Sequence, residues 1–491
     1  MTDLLVLLVV APILAAILPI AAGLVADGAG RYVALLASLV QVLLATSVLV
    51  TVRTSGAFTY AVGDYAPPFG IELVADGVSA PLLTLIALTT LGVIVYTLHA
   101  GPHSDGFYSE LLFLLAGLSG LVATGDVFNL YVFLEITGLA TYAVVATGRA
   151  PEAAYASLKY LIVGTIGASF YLLGVGYLFV ATGTLNMADL AAKIPAVGYE
   201  SPLILAAFAF IGVGLAVKVA LFPLHTWQPD AYAESPHSVS AYIAALVSTA
   251  AAYALFRIIY EVFTVDFFAA VPLAQDLVLA VATVSIVVGA VLAVVQTDLK
   301  RMLAYSSVSH FGLVVAGIAI GTETAVTGGL IHLVGHGIMK GGLFLAVGIF
   351  ATAAGTRRID EIAGLGTRLP VTSALFAILA FSMVGVPPAI GFPGKWNIVL
   401  GAVEAGRFAV AAVAVASTLM TLGYFGRIVE RLYFADPAPA QQPTVVADGG
   451  GPEPSSIMLG VLVAAAVAAV VLGIGVSELV DSFEPVLEVY F

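Results

Sequence analysis

The chain has 491 residues, of which 61% are hydrophobic and only 10% are charged, and its net charge is −13. A soluble domain carries about 25% charged residues, so this composition excludes a soluble protein and indicates one helical domain in a lipid bilayer. The absence of cysteine excludes disulfides, iron–sulfur clusters, thiolate metal sites and cysteine nucleophiles. No His-Glu-x-x-His spacing occurs, and no glycine-rich nucleotide loop follows a predicted strand. We therefore expect no metal, no cofactor and no nucleic-acid partner, and no catalysis by this chain alone.

A helix that spans the bilayer needs about 20 apolar residues. With glycine, proline and charge clusters as boundaries, the sequence predicts an all-α membrane protein with about fourteen transmembrane helices. Residues 1–25 lack a basic n-region and are predicted to form the first helix, not a cleaved signal. A Gly/Tyr/Pro-rich hairpin over residues 53–73 is predicted to lie on the membrane surface. The predicted helices are 3–25, 31–52, 77–98, 107–123, 127–147, 158–181, 203–223, 239–263, 271–295, 302–321, 325–352, 372–400, 407–433 and 456–477.

The distribution of lysine and arginine predicts how these helices are oriented. With the N-terminus outside, ten basic residues fall in inside loops and four in outside loops, which agrees with the positive-inside rule. The chain is therefore predicted to cross the cell membrane many times, with both termini outside. The inside set comprises Arg31, Arg149, Lys159, Lys300, Arg301, Arg357, Arg358, Arg368, Arg427 and Arg431, and the outside set Arg53, Lys193, Arg257 and Arg407.

Glu135, Lys218 and Lys395 are ionisable residues that lie within predicted helices. An unpaired charge there costs several kcal/mol and so needs a reason. One interpretation is a static ion pair between Glu135 and Lys218, but such a pair does not explain Lys395, whose nearest acidic residue in sequence is Glu404. The alternative interpretation is a relay, because a buried lysine can lose and regain its proton.

The backbone near both lysines contains helix breakers. Pro223 follows Lys218, and the run from Gly385 to Gly394, with three prolines, precedes Lys395. Broken helices are tolerated at membrane depth where they are buried in protein or line a wet cavity. Two of them in opposite halves of the chain are typical of an inverted-repeat transporter. The alternative is a pair of ordinary proline kinks.

Histidines supply further candidate groups. His332, His336 and Lys340 recur at steps of four residues and therefore share one helical face. A single intramembrane histidine is commonly a packing residue, but this polar stripe favours a proton-transfer role, since imidazole can accept a proton at one nitrogen and release one from the other. His225 and His237, with Asp230 between them, are candidates for a proton entrance, although loop histidines are often only solvated.

The sequence resembles the antiporter-like membrane subunits shared by Mrp-type Na+/H+ antiporters, respiratory complex I and membrane-bound hydrogenases, and is most similar to the D-type subunits of the Mrp antiporters. The resemblance covers roughly residues 60–435. The motifs that carry it are Pro67–Ser79, Gly125–Glu135, Lys159–Tyr171, Lys218–Tyr232, Asp298–Ser309 and His332–Lys340.

The resemblance implies fourteen helices in which helices 4–8 and 9–13 form two inverted repeats with broken helices 7 and 12. It divides the chain into N-terminal helices 1–3 with the hairpin (1–106), a first repeat (107–263), a second repeat (271–433) and a C-terminal loop and helix (434–491). It implies an acid–base pair at Glu135 and Lys218 and a polar axis to Lys395 through the histidine helix. The implied partners are antiporter subunits of types A, B, C, E, F and G, the lipid bilayer, protons, and Na+ or another monovalent cation.

Helix 8 departs from the pattern of the relatives, which commonly carry a lysine there. The equivalent position here is Thr249, whose hydroxyl cannot store a proton near neutral pH. The axis is then expected to be bridged by Ser248, Thr249 and water. Two other interpretations stay open: a membrane-arm pumping subunit of a complex I-like or hydrogenase complex, and a structural subunit whose axis is broken at Thr249.

Overall fold

The protein is described by a computed structural model that covers residues 3–148, 150–436 and 454–491. Within these ranges thirteen helices are long and apolar enough to span a membrane. A fourteenth crossing, the predicted helix 12, consists of two short helices, so the predicted all-α class and helix count are confirmed. Arg149 and most of the loop predicted after residue 434 lie outside the described residues.

The helices are α1 (Asp3–Ala15), α2 (Leu18–Gly23), α3 (Gly30–Ser55), α4 (Ser79–Thr97), α5 (Asp105–Ala123), α6 (Val127–Ala146), α7 (Pro151–Thr182), α8 (Met187–Val197), α9 (Pro202–Val219), α10 (Gln228–Glu234), α11 (His237–Arg257), α12 (Thr264–Ala270), α13 (Pro272–Val295), α14 (Leu299–Ile320), α15 (Glu323–Ala354), α16 (Leu365–Arg368), α17 (Pro370–Val384), α18 (Gly391–Glu404), α19 (Phe408–Tyr433), α20 (Ser456–Ile474) and α21 (Val476–Leu487).

Two matching backbone junctions show the internal repeat. Before α6, the N–H of Val127 donates to the carbonyl of Leu185 at 2.9 Å; before α14, the N–H of Leu299 donates to the carbonyl of Arg357 at 2.9 Å. Asp126 and Asp298 cap these two helices with their side chains. Each junction thus joins the start of the second helix of a repeat to the end of its third. Because five crossings separate the equivalent elements, the two copies run in opposite directions.

Three helices form the centre of the bundle. The spans that contain α11 and α14 are at least 94% buried and that of α15 is 83% buried, whereas only 28% of the α3 span and 22% of the α20 span is buried. A helix that is apolar on all sides and buried on all sides belongs in the core of a large protein. The central helices carry the predicted histidine stripe and Thr249, so these positions lie deep in protein and not against lipid.

One end of the bundle, here called the hairpin face, contains the β-hairpin and is contacted by the N-terminal and C-terminal helices. The predicted hairpin forms strands β1 (Phe58–Ala61) and β2 (Glu72–Ala75), paired antiparallel with Phe58 opposite Ala75. The C-terminal helix α21 reaches the same face, where the hydroxyl of Ser482 donates to the carbonyl of Gly77 at 2.7 Å. The first helix also contacts this hairpin. The first described helix and the C-terminal helix therefore both contact this side of the bundle.

Two basic residues that we assigned to loops are buried in helices. Arg257 ends α11 and is 3% exposed, because the helical path continues as a π-helix from Ile258 to Phe263 and then as α12. Lys300 lies in the first turn of α14, is 1% exposed, and donates to the carbonyl of Ser235. The positive-inside rule concerns solvated loop charges, so neither Arg257 nor Lys300 contributes to the difference in basic residues between the two sides.

Arg257 is the centre of a buried polar cluster at the hairpin face. Its guanidinium pairs with Asp76, which follows the hairpin, and with Glu261 one turn further along the chain. Its Nε donates to the Tyr253 hydroxyl at 2.7 Å, and its Nη1 lies 3.4 Å from the hydroxyl of Tyr490. The cluster therefore ties the hairpin and the C-terminus to the central helix α11.

Replacement of Arg257 by glutamine should destabilise the protein. Removing one partner of a buried ion pair typically costs about 3–5 kcal/mol, because the other charge stays buried and unpaired. Arg407→Gln is the matched control, since Arg407 forms a largely exposed pair with Asp276 at 2.8 Å, and exposed pairs contribute about 1 kcal/mol or less. Thermal unfolding of the purified complex measures both. Equal melting temperatures for the two variants would contradict the buried-cluster account.

Candidate functional site

The first candidate group is the pair formed by Glu135 and Lys218. Glu135 lies in the middle of α6, and its Oε1 is 3.3 Å from the Nζ of Lys218 in the last turn of α9. The lysine side chain is 6% exposed and the glutamate 23%. The hydroxyl of Tyr142 is 3.5 Å from the same Nζ. The structure thus brings together the acid and the base that the sequence predicted.

Aromatic packing holds this pair in place. Tyr142 makes an edge contact with Tyr160, and Tyr160 stacks on Trp227 with ring centroids 3.8 Å apart. The indole Nε1 of Trp227 donates to the carbonyl of Val217, directly before the lysine, at 2.9 Å. A Cβ at Gly164 would come within 2.1 Å of the Tyr142 hydroxyl, so this position has room only for glycine.

The helix that carries Lys218 stops immediately after it. Ala220 adopts a left-handed conformation with φ of 67° and ends α9, and the chain resumes as helix at Gln228. The N–H of Phe222, freed by the break, donates to the Ser285 hydroxyl at 3.0 Å. Lys218 therefore lies at the carbonyl end of a half-helix, where the negative end of the helix dipole favours a cation.

Lys395 occupies a similar position at the second break. Helix α17 ends at Val384, Gly385 follows with φ of 99°, and α18 begins at Gly391. The Nζ of Lys395 in α18 donates to the carbonyl of Val384 at 3.1 Å, and the residue is 7% exposed. Lys395 thus faces the carbonyl end of a broken helix and Lys218 lies in the last turn of one. Cation-coupled transporters place ion or proton sites at such half-helix ends. In the described part of the chain, no carboxylate pairs with Lys395.

The histidine stripe of α15 is completed by a residue that the sequence did not reveal. His310 in the middle of α14 is fully buried, and its Nδ1 lies 3.0 Å from the Nε2 of His332. One ring must donate and the other accept, so this contact can hold one proton between them. The motif that carries the family resemblance ends at Ser309, directly before His310. A histidine near the centre of a 22-residue apolar helix was the available signal.

The remaining members of the stripe lie on the same face of α15. His336 packs its ring against Phe311 at 4.4 Å and lies 6.2 Å from the ring of His310. Lys340 is fully buried and donates to the carbonyl of Leu303 at 2.7 Å and to the hydroxyl of Ser306. All four side chains, with Lys395, are near enough for charge on one to act on the next.

Several imidazole nitrogens of this cluster have no protein partner within the described ranges. They are Nε2 of His310, Nδ1 of His332 and both nitrogens of His336. Buried polar atoms are almost always hydrogen-bonded, and water is the partner that a polar interior supplies. The cluster is thus chemically suited to accept and release protons through water. Among the described residues, no group of three or more histidine, aspartate or glutamate side chains is arranged to hold a metal ion.

The structure places the two candidate bridging hydroxyls differently. The Ser248 hydroxyl lies 3.2 Å from the side-chain nitrogen of Gln228 and 3.5 Å from the carbonyl of Lys218, so it belongs to the network beside the first lysine. The Thr249 hydroxyl donates to the carbonyl of Ala245, one turn back in its own helix, at 2.7 Å. Neither bond reaches the histidine cluster. The predicted bridge between Lys218 and the histidines therefore needs water.

The candidates for a proton entrance lie at the face opposite the hairpin. Asp230 in α10 is held between Lys159 at 2.7 Å and Arg301 at 2.9 Å. His225 is 7% exposed and lies beside the rings of Phe222 and Tyr305. His237 begins α11. The role of these three residues as a proton entrance stays a prediction.

This fold and this row of buried titratable groups define an antiporter-like membrane subunit that translocates protons. The sequence model of the family described as "NADH:quinone oxidoreductase/Mrp antiporter, TM" matches residues 124–421. The chain belongs to this family, as its motifs indicated.

Individual relatives include both transporters and respiratory proteins. The chain is 45% identical over 384 residues to the N-type subunit of NADH-quinone oxidoreductase from Desulforudis audaxviator, a match that covers 76% of this chain and 75% of that protein. It is 30% identical over 426 residues to the D-type subunit of the Na(+)/H(+) antiporter from Bacillus subtilis, covering 86% of this chain and 85% of the relative. A chain of the membrane-bound sulfane sulfur reductase, an archaeal respiratory membrane complex, superposes with a TM-score of 0.89 at 31% identity, covering 97% of this chain and 96% of the other.

His310→Gln should lower proton flux through the assembled complex reconstituted in vesicles. Glutamine keeps a donor and an acceptor toward His332 but cannot take up a proton, so packing is preserved while transfer is lost. His99→Gln, at an exposed position beyond α4, is the control and should leave flux unchanged. Normal flux in His310→Gln would remove this residue from the relay.

Proposed function

We propose that this chain is the proton-translocating subunit of a multisubunit monovalent cation/proton antiporter of the Na+/H+ type. It acts in the cell membrane with both termini outside and with partner subunits of the A, B, C, E, F and G types. The observation that carries the proposal is the pair of buried lysines, each at the carbonyl end of a broken helix. The match to the D-type antiporter subunit, which extends over more of the chain than the match to the oxidoreductase subunit, supports the choice of complex.

The first step of the proposed mechanism is proton exchange at Lys218. While Glu135 is 3.3 Å away, its carboxylate stabilises the ammonium form of the lysine. If the pair opens, Lys218 stays buried without its counter-charge, and burial then favours release of the proton. The hydroxyls of Tyr142 and Ser248 lie next to the Nζ and the backbone of this lysine and offer positions for water to receive it.

The second step moves charge along the second repeat. A proton that reaches His336 can pass to the His310–His332 pair, since each imidazole can accept at one nitrogen and donate from the other. Protonation there disfavours positive charge on Lys340 and Lys395, because like charges repel strongly at low dielectric. Lys395, held at the carbonyl of Val384, then releases its proton toward the other side.

Coupling to the cation follows from the same repulsion. Each added positive charge on this row changes the affinity of its neighbours for protons, and by linkage the effect is reciprocal. A monovalent cation bound elsewhere in the complex can therefore be exchanged for protons if it shifts the same equilibrium. This step assigns no cation path to the chain itself.

A second candidate function is a proton-pumping subunit in the membrane arm of a redox-driven complex. The 45% identity to a subunit of NADH-quinone oxidoreductase favours it. The chain contains no cysteine to hold an iron–sulfur cluster, so the electron-transfer chemistry would belong to other subunits.

Lys218→Ala and Lys395→Ala should each reduce proton flux in vesicles about tenfold or more, because each removes a titrating group from the row. Glu135→Ala should also reduce flux while the complex stays folded. Lys193→Ala, which breaks only an exposed pair with Asp189 within α8, is the control. A scaffold subunit would tolerate both relay changes. A Glu135→Ala protein that is unfolded, but conducts normally per folded molecule, would support the static ion pair.

The energy source that drives proton movement distinguishes a cation/proton antiporter from a redox-driven proton pump. In vesicles that contain the purified complex, an imposed Na+ gradient should drive proton movement without an electron donor. Lys218→Ala should reduce this movement about tenfold or more, as expected for protons that pass through this chain. Co-purified flavin or iron–sulfur subunits, together with flux that requires NADH or another reductant, would establish the second candidate instead.

A further inference from the structure

A network of ion pairs joins the two repeats at the face of the bundle opposite the hairpin. Its centre is α10, the short helix that resumes after the break that follows Lys218. Arg301, in the first turn of α14, bonds to Asp230 at 2.9 Å and to Glu234, one turn later in α10, at 3.3 Å. Arg357 lies 3.5 Å from the other carboxylate oxygen of Glu234. The second repeat therefore holds both carboxylates of α10.

A guanidinium is well suited to this position in the network. Its planar fork presents separate N–H groups, and Nη1 of Arg301 reaches Asp230 while Nη2 reaches Glu234. The two carboxylate side chains are only 20% and 13% exposed, so water and salt screen these pairs less than surface pairs. Isolated exposed pairs contribute little to stability, whereas networks with fixed geometry contribute more. Arg301 therefore fixes the orientation of α10 relative to α14.

Helix α10 is in turn bonded to the backbone that carries Lys218. Trp227 directly precedes α10, and its indole Nε1 donates to the carbonyl of Val217, in the last turn of α9, at 2.9 Å. The break is also held by the second repeat, because the N–H of Phe222 donates to the hydroxyl of Ser285 in α13 at 3.0 Å. The position of Lys218 therefore depends on how the second repeat holds the segment after the break.

The start of α14 also contacts the relay of the second repeat. The carbonyl of Leu303, two residues after Arg301, accepts a hydrogen bond from the Nζ of Lys340 at 2.7 Å. The hydroxyl of Ser306, almost one turn later, accepts another from the same Nζ. The first two turns of one helix thus contact α10 through Arg301 and hold Lys340.

We propose that Arg301 is a positioning residue of the proton path. Through Asp230 and Glu234 it holds α10, and through α10 it fixes the carbonyl end of α9, with Lys218, relative to Lys340. This inference rests on the proposed function, in which both lysines are relay groups. Without the guanidinium, α10 keeps the pair of Asp230 with Lys159 of the first repeat, and the second repeat holds α10 at Glu234 through Arg357. Its orientation toward α14 is then no longer fixed at both ends.

Hydrogen exchange in the purified, assembled complex tests this role. In Arg301→Gln, the backbone amides of residues 216–221, at the end of α9, should exchange about fivefold faster or more, because loss of both pairs frees α10. These amides decide, since Arg301 pairs with α10 and not with α9 in the described part of the chain. Arg358→Gln is the matched control, because Arg358 is 60% exposed and pairs with Glu361, three residues along its own loop.

The control should exchange as the wild type does. Arg301→Lys should recover part of the protection at residues 216–221, since its ammonium keeps the charge but lacks the fork. If Arg301→Gln fails to assemble, Glu234→Gln removes one of the same pairs and should give the same local change. Unchanged exchange at residues 216–221, or a uniform increase along the whole chain, would overturn the positioning role.

Proton flux in vesicles gives a second readout. Arg301→Gln should lower flux severalfold and Arg301→Lys should restore part of it, whereas Arg358→Gln should leave flux unchanged. Normal flux in Arg301→Gln would overturn the positioning role alone. Hydrogen exchange is measured without flux, so a wild-type complex that moves no protons would contradict the proposed function, while the exchange result would still show whether Arg301 holds the end of α9.

Discussion

The structure depends on one constraint, which is the cost of placing a charge in an apolar interior. The bundle meets part of this cost by breaking two helices beside lysines. Lys218 lies in the last turn of α9, and Lys395 donates to the last carbonyl of α17. Partial negative charge from the helix end stabilises an ammonium without fixing it permanently, as a buried carboxylate at contact distance would. Glu135, the carboxylate 3.3 Å from Lys218, is 23% exposed, so this pair is not sealed in the apolar interior, and the proposed mechanism requires it to open. In the described part of the chain, no carboxylate pairs with Lys395.

The two repeats use this device differently. In the first repeat, Lys218 contacts Glu135 and the hydroxyl of Tyr142. The row of packed rings from Tyr142 to Trp227 fixes the position of this lysine. In the second repeat, Lys395 and Lys340 face carbonyls and two contacting histidines, and several imidazole nitrogens have no protein partner among the described residues. The second repeat therefore offers more polar atoms to which water can bind. Between them lies Thr249, whose hydroxyl is bound within its own helix.

Much of this arrangement could be predicted from the sequence because membrane burial makes a polar residue conspicuous. Glu135, Lys218 and Lys395 were identified since each interrupts an apolar segment, and the spacing of His332, His336 and Lys340 placed them on one face. His310 was missed because it is a single histidine in its helix, and its partner comes from α15 through tertiary packing. Arg257 and Lys300 were assigned to loops because their partners, Asp76 and the carbonyl of Ser235, are distant in sequence. Local patterns do not report such contacts.

The central claim is that water connects the group around Lys218 to the histidine cluster. A high-resolution map of the assembled complex in lipid tests it most directly, through the density between Ser248 and His336. Ordered water molecules are expected in this region, bonded to Gln228 and to the imidazole nitrogens that have no protein partner among the described residues. Continuous apolar packing between Ser248 and His336, with no water at either imidazole nitrogen of His336, would contradict the claim that water connects the two groups.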